Sequence, residues 1–283
     1  MFQEKFIAFI DIVGFSRIIE RSDADPSELD RALKLIEELL HEKDIDKYST
    51  YGPETCPASL HIEKDLNFQA TQISDCVVFS IEKSPAGFIN LITHAHSVAM
   101  RLMFKGALCR GYITLGNIIH SKNQFLGSGY QNAVKGEQNV TVFSDEKHPK
   151  GAPFIQFDAK CIDFLQDLDD KCVKDVFSRI TRSDGSYTAI YPFNTLKNIP
   201  STTIDTNFKP EYWREQVEKS LKFLETTFRE FDYATQHASD EGEKRKIQHY
   251  IDGLNEIKSA QHRKIDRLNR MIETGNIPRG GFI

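Results

Sequence analysis

Two aspartates stand where the surrounding pattern does not call for charge. Asp11 interrupts the apolar run of "FIAFIDIVGFS", residues 6–16, where another apolar side chain is due. Asp75 lies in "TQISDCVVFS", residues 71–80, after Ser74 and ahead of a second apolar run. Two carboxylates brought close together repel each other unless a cation neutralises them. Hard divalent cations take oxygen ligands, and magnesium typically uses one or two carboxylates together with substrate phosphates. Gly14 allows close backbone approach, and the amides of Gly14, Phe15 and Ser16 open a helical stretch whose free N–H groups suit a triphosphate. Singly, each feature has an ordinary explanation, since Asp favours turns and helix caps. The combination is more specific than its parts.

The elements that must position these groups follow from periodicity. Residues 5–12 read as a buried strand, short, apolar and bounded by glycine. The pattern turns helical at Phe15, breaks at Ser22–Pro26 and resumes with Ser27 as the expected cap and Asp30 three residues on. Leu29, Leu33, Ile36, Leu39 and Leu40 are the expected apolar face of that second helix. Residues 44–60 read as a loop. "FQATQISDCVVFSIE" reads as two strands around a turn at Ser74–Asp75, with Val77, Phe79 and Ile81 alternating. A helix is predicted over 85–104, with Phe88, Leu91, Ile92 and Met100. "ALCRGYITLGNIIHS" is expected to form a strand pair bent at Gly116, and "FLGSGYQNAVKGE" a glycine turn into a helix. Further strands are predicted at 153–158 and 187–193.

The order strand, helix, strand, strand, helix, strand is the split βαβ pattern of a ferredoxin-like α+β domain. In that arrangement the first strand lies beside the central hairpin, which brings Asp11 and Asp75 to one rim of the sheet. Two long helices, 210–238 and 241–273, are predicted as an antiparallel C-terminal pair. Their stretch holds no proline after Pro210 and only Gly242 and Gly253. Trp213, Val217, Leu221, Leu224, Phe228 and Phe231 recur at helical spacing and read as a packing stripe. The expected domains are therefore residues 1–200, carrying the chemistry, and a helical appendage over 208–275. No internal repeat is present.

Composition narrows the classes. The 283 residues are 40% hydrophobic and 27% charged, which suits a globular chain of one large or two modest domains. A formal net charge of −5 argues against duplex nucleic acid as the main partner. No apolar run approaches the roughly 18 residues of a membrane span, and no basic segment of a signal peptide precedes the first strand. The five cysteines, Cys56, Cys76, Cys109, Cys161 and Cys172, are scattered without CxxC spacing. They read as reduced structural thiols of a cytoplasmic protein rather than a zinc site. His94 and His96, two apart on a helix, do not share a face.

"FIAFIDIVGFS" and "TQISDCVVFS" resemble the catalytic domain of the class III nucleotidyl cyclases. "CRGYITLG" is similar to that family's arginine-glycine strand, and "FLGSGYQNAVKGE" to its glycine turn and catalytic helix. The resemblance covers roughly residues 5–195, in the family's order. It implies that the 3′-hydroxyl of a nucleoside triphosphate attacks its own α-phosphate, releasing pyrophosphate and a 3′,5′-cyclic monophosphate. It implies two Mn²⁺ or Mg²⁺ ions held by Asp11, Asp75 and the carbonyl of Ile12, phosphates at Gly14, Phe15 and Ser16, and a homodimer with shared sites.

The same resemblance exposes departures. Aligned on Ala133, Gln131 stands in place of the family's helix Asn, and Lys135 in place of its transition-state Arg. Lysine keeps the charge but loses the planar fork, so Lys135, Arg110 or Lys105 is left to stabilise the transition state, or Lys135 is simply an exposed helix lysine. The base-selecting positions fall on Thr71 and Gln124, neither of them the family's purine selectors. Both are neutral and can donate or accept hydrogen bonds, which fits a pyrimidine edge. In these features, in its "S-D" hairpin and in its C-terminal helices, the chain resembles the stand-alone pyrimidine cyclases of Pycsar antiphage systems. Those make cyclic UMP or cyclic CMP for a separate cyclic-nucleotide-binding effector. UTP is expected ahead of CTP because cyclic UMP is the commoner product of that group. A purine cyclase with unusual selectors, and a degenerate domain that binds nucleotide or dimerises without turnover, remain open alternatives.

Overall fold

The computed structural model describes residues 1–40, 66–121, 124–144, 151–197 and 209–276. The loop expected at 44–60 and the C-terminal "RGGFI" lie outside them, as does Cys56. The chain is mixed α+β and divides into two units, Met1–Pro192 and Phe193–Ile283.

The first unit is built on a mostly antiparallel sheet. Its strands are β1 (Gln3–Ile12), β2 (Gln69–Ile73), β3 (Cys76–Glu82), β4 (Cys109–Ser121), β5 (Gln124–Leu126), β6 (Ile155–Phe157), β7 (Thr181–Ser183) and β8 (Thr188–Ile190). Its helices are α1 (Phe15–Ser22), α2 (Pro26–Leu39), α3 (Pro85–Phe104), α4 (Ser128–Gln138), α5 (Ala159–Asp167) and α6 (Lys171–Ile180). The strands are ordered β2-β3-β1-β4-β6-β8-β7, with β5 paired to β4. β1 runs antiparallel to both neighbours, and among the described residues only the β4–β6 pairing is parallel.

Alternation along β1 decides which side chains meet which layer. Phe6, Ala8, Ile10 and Ile12 enter the main core with α2, α3, α5 and α6. Ile7 and Phe9 point to the opposite face and pack with Val78, Ile118, Phe125, Tyr130 and Ala133 beneath α4. Asp11 continues this second set. The main core is aromatic at its centre: the ring of Phe6 lies 5.1 Å from that of Phe88 and 4.9 Å from that of Phe164, and Phe157 lies 5.1 Å from Phe177. The α5 and α6 segment, which periodicity did not single out, is held on this side by Phe164 and Phe177, and β7, also not singled out, is placed by pairing with β8.

α3 matches its expected bounds because both ends are signalled: Ser84 accepts from the Gly87 amide at 3.0 Å and Pro85 opens the first turn, while Gly106, just past the last turn, takes a left-handed φ of 66°. Three expectations are corrected. Asp25, not Ser27, caps α2, accepting from the Ser27 amide at 2.8 Å. Pro26 takes the first helical position, which shifts the cap upstream. The buried face of α2 is Glu28, Ala32, Leu35 and Leu39, whereas Leu29 and Leu33 are exposed. Finally, the residues around Gly116 form one continuous strand, still paired with β1 as far as Gln3–Ile118. Gly116 serves close packing instead of a bend: a Cβ there would sit 2.8 Å from the Cα of Gly129 on α4.

The second unit contains α7 (Phe193–Lys197), α8 (Pro210–Gln236) and α9 (Glu241–Thr274). The boundary before Phe193 puts α7 with the long helices, ahead of the residue 200 limit read from sequence. α8 and α9 run antiparallel, since Phe231 packs on Tyr250 while Arg214 near the other end reaches Asn269. Val217, Leu224 and Phe231 of the expected stripe are buried, with Trp213, Leu221 and Phe228 half-buried. Asp240 caps α9 through the Glu243 amide at 2.8 Å. α7 is fixed by Phe193 against Gly253 and Tyr250, and by Gln261, which donates to the Leu196 carbonyl at 2.9 Å.

Candidate active site on the α4 face of the sheet

β1 and β3 bring the two aspartates to the same end of the sheet. Asp11 lies opposite Cys76 on β3 and opposite Arg110 on β4. Asp75 occupies the β2–β3 turn, where Ser74 adopts a left-handed conformation with φ 52°, and its carbonyl accepts from the Ile12 amide at 3.1 Å. The side chain of Ile12 is buried in the core, so only its backbone faces this end.

The electrostatics are crowded. Burial, then the charges of Asp75 and Glu137, push the Asp11 carboxyl from its ordinary range up to about 7, against the pull of the Arg110 guanidinium and a backbone hydrogen bond from Ile12. Cys76, beside both aspartates, is driven to about 11 by burial and by the same two carboxylates. Its thiol donates to the Ile73 carbonyl at 3.1 Å. Arg110 is ion-paired through Nε to Glu137 of α4, a carboxylate that is itself buried.

Backbone strain marks the entry to α1. Gly14 holds φ 79°, a conformation that strongly favours glycine, and caps the helix without a side-chain hydrogen bond. The α1 first turn carries no acidic residue. Phe15 is buried in the core and Ser16 is exposed, so this turn offers its amides to the surface rather than its larger side chain.

The other expected residues separate into distinct places. Lys105 ends α3 and pairs with Glu38 at 3.7 Å, among α2 and α3 residues rather than with the aspartates. Gln131 and Lys135 are exposed on α4, and Gln124 is exposed on β5. Thr71 is partly exposed on β2, and its hydroxyl lies 3.0 Å from Nε2 of His120. His120 Nδ1 in turn lies 2.8 Å from the Ser80 hydroxyl. The end of β4 must curl over the α4 face to make this contact, because Ser80 shares its register row with Thr114. Burial, helped by the charge of Lys5, lowers the His120 pKa to about 4, so the ring is neutral.

Two site residues escaped the sequence reading. Glu137 shares the buried face of α4 with Ala133, four residues earlier, and an acid on an apolar helix face was the available signal. His120 alternates with Ile118 on β4, but its partners are 49 and 40 residues away and left no local trace. His94 stacks on Phe68 with ring centroids 4.7 Å apart.

Among the described residues no group of three or more His, Cys, Asp or Glu side chains is placed to hold a metal on its own. A cation here would rest on two carboxylates and complete its shell with ligand oxygens, a mode natural to magnesium. The fit is favourable: the charge that pushes Asp11 up is what a divalent cation between the aspartates would offset. Among the described residues, no helix is long and apolar enough to cross a membrane. No protein-family model matches the chain, and no curated protein is detectably similar to it in sequence.

Proposed function

We propose that this chain is a nucleotidyl cyclase of the class III type that acts on a pyrimidine nucleoside triphosphate, UTP ahead of CTP. The observation that carries the reading is the convergence of Asp11 and Asp75 at one end of the α4 face, with Asp11 raised to about 7 by burial and by its neighbour. The strand order β2-β3-β1-β4, with β1 antiparallel on both sides, agrees with a ferredoxin-like βαββαβ core.

In this reading Asp11, Asp75 and the Ile12 carbonyl hold Mn²⁺ or Mg²⁺. Bound divalent ions supply activation of the attacking hydroxyl and stabilisation of charge at phosphorus. The Gly14–Ser16 amides orient the phosphate chain. The 3′-oxygen forms a bond to the α-phosphorus while the bond to the bridging oxygen of pyrophosphate breaks, and the hydroxyl proton passes to solvent water. Arg110 stays beside Asp11 and Glu137, so it supports the carboxylate end. Lys135, exposed on α4, would act at the site of a second copy, and the working unit is a homodimer. The product is a second messenger for a separate cyclic-nucleotide-binding effector in antiphage defence.

The test is incubation of purified protein with each of the four ribonucleoside triphosphates and Mn²⁺, with products identified by mass spectrometry. Cyclic UMP or cyclic CMP is the expected product. Cyclic AMP or cyclic GMP alone transfers the reading to a purine cyclase, and no product from any substrate at high protein concentration overturns it.

A further inference from the structure

We propose that Ser80, His120 and Thr71 form a proton-ordered relay that presents the Thr71 hydroxyl as a fixed hydrogen-bond donor and thereby selects a nucleobase with a carbonyl, not an amino group, at the position it meets. The choice of base rests on the nucleotide reading above and on Thr71 contacting the base. The ordering of the relay rests on neither.

The ordering follows from counting donors. Ser80 is fully buried, and its hydroxyl lies 2.8 Å from His120 Nδ1. It has no other hydrogen-bond partner among the described residues. A hydroxyl sealed from water must place its proton on an acceptor or lose the free energy of hydration uncompensated. The acceptor in reach is Nδ1. A neutral imidazole carries one proton, and burial keeps this ring neutral. The proton is therefore on Nε2, which donates to Thr71 Oγ1 across 3.0 Å. Thr71 has accepted on that side, so its own proton turns away from the ring. Thr71 is partly exposed and has no further hydrogen-bond partner among the described residues. The outward-facing group is a donor, held in that role by two buried side chains behind it.

Uracil and guanine offer a carbonyl oxygen where cytosine and adenine offer an amino group. A fixed donor pairs with the first and is left facing another donor by the second. Within a pyrimidine-selective site the relay favours UTP over CTP.

The decisive measurement is the His120 tautomer, read from two-bond ¹H–¹⁵N correlations on the full chain labelled at histidine, at pH 7.5. The Nε2–H signature is expected, and an Nδ1–H signature overturns the relay whatever the protein catalyses. Ser80→Ala removes the ordering proton and should shift the ring toward Nδ1–H. In competition between equal UTP and CTP, Ser80→Ala and Thr71→Val should each lower the preference for UTP about tenfold, the order of one hydrogen bond. An unchanged ratio in both variants overturns the base selection. If no triphosphate is cyclised, calorimetric titration with UTP and with CTP replaces turnover. Equal affinities, or no binding of either, overturn the selection, while the tautomer still decides the relay.

Discussion

At the Asp11 end of the α4 face, Asp11 and Glu137 share one arginine beside Asp75, and the Asp11 carboxyl is pushed to about 7 by burial and by the charges of Asp75 and Glu137. At the Thr71 end, three neutral side chains satisfy one another in a chain of hydrogen bonds of 3.0 and 2.8 Å. The first region crowds like charges together, which in the reading proposed above a divalent cation would offset. The second leaves nothing buried unpaired and turns a single donor outward. A polar group can be held in a protein by satisfying it or by leaving it short of a partner, and only the second arrangement gains from a charged ligand.

The largest expected effect attacks the charged end. Asp75→Asn should reduce cyclic nucleotide formation to background by mass spectrometry, and retained turnover would remove Asp75 from the reaction. Next comes acid. His120 and His96 are both held neutral with folded pKa values of about 4, chiefly by burial. The unfolded chain protonates them near 6.5 and so binds protons first, giving stability that is complete above that pH and lost as pH falls toward 4. Each contributes at most about 3 kcal/mol. Urea midpoints at pH 7 and pH 4.5 should fall less for His120→Gln than for the parent, and equal falls would refute the neutral relay.

Arg110→Met should destabilise by about 2 kcal/mol, since it leaves the buried Glu137 carboxylate without its partner. The double variant with Glu137→Leu should recover most of that loss in the same denaturation experiment, and failure to recover would show that Arg110 acts through something else. The smallest effect concerns Asp11. Asp11→Asn removes one of the crowded charges, so the metal-free protein should gain about 1 kcal/mol at pH 8, seen as a melting temperature about 2–4 °C higher. Mn²⁺ should raise the melting temperature of the parent and leave that of the variant unmoved. An equal Mn²⁺ increment in both would separate the cation from Asp11.

The charged end was legible in the sequence because its signals are local. An aspartate ending an apolar strand and another in a tight turn are visible without a partner, and the strand order that joins them follows from element sequence alone. The neutral end was half legible: Thr71 was singled out, but His120 and Ser80 are polar residues in alternating strands, and only the curl of β4 brings them together. Gly116 was misjudged for a related reason. Glycine in a strand suggests a bend when the strand is considered alone, whereas here it answers a helix: Gly129, thirteen positions on, occupies the space its side chain would need. Leu29 and Leu33 misled in the opposite way, since their helical spacing is real but Ala32 and Leu35 on the neighbouring face take the core.

Cys76 carries a consequence for the chemistry of oxidants. With its pKa at about 11, only on the order of one molecule in ten thousand holds a thiolate at pH 7. Peroxide and alkylating agents attack the thiolate, so a cysteine set among the most reactive-looking residues of the molecule is slow to modify. Burial is the largest part of its shield, and the charges of Asp11 and Asp75 add to it. Neutralising either aspartate should raise its alkylation rate, but only by the share of the shift that their charge supplies.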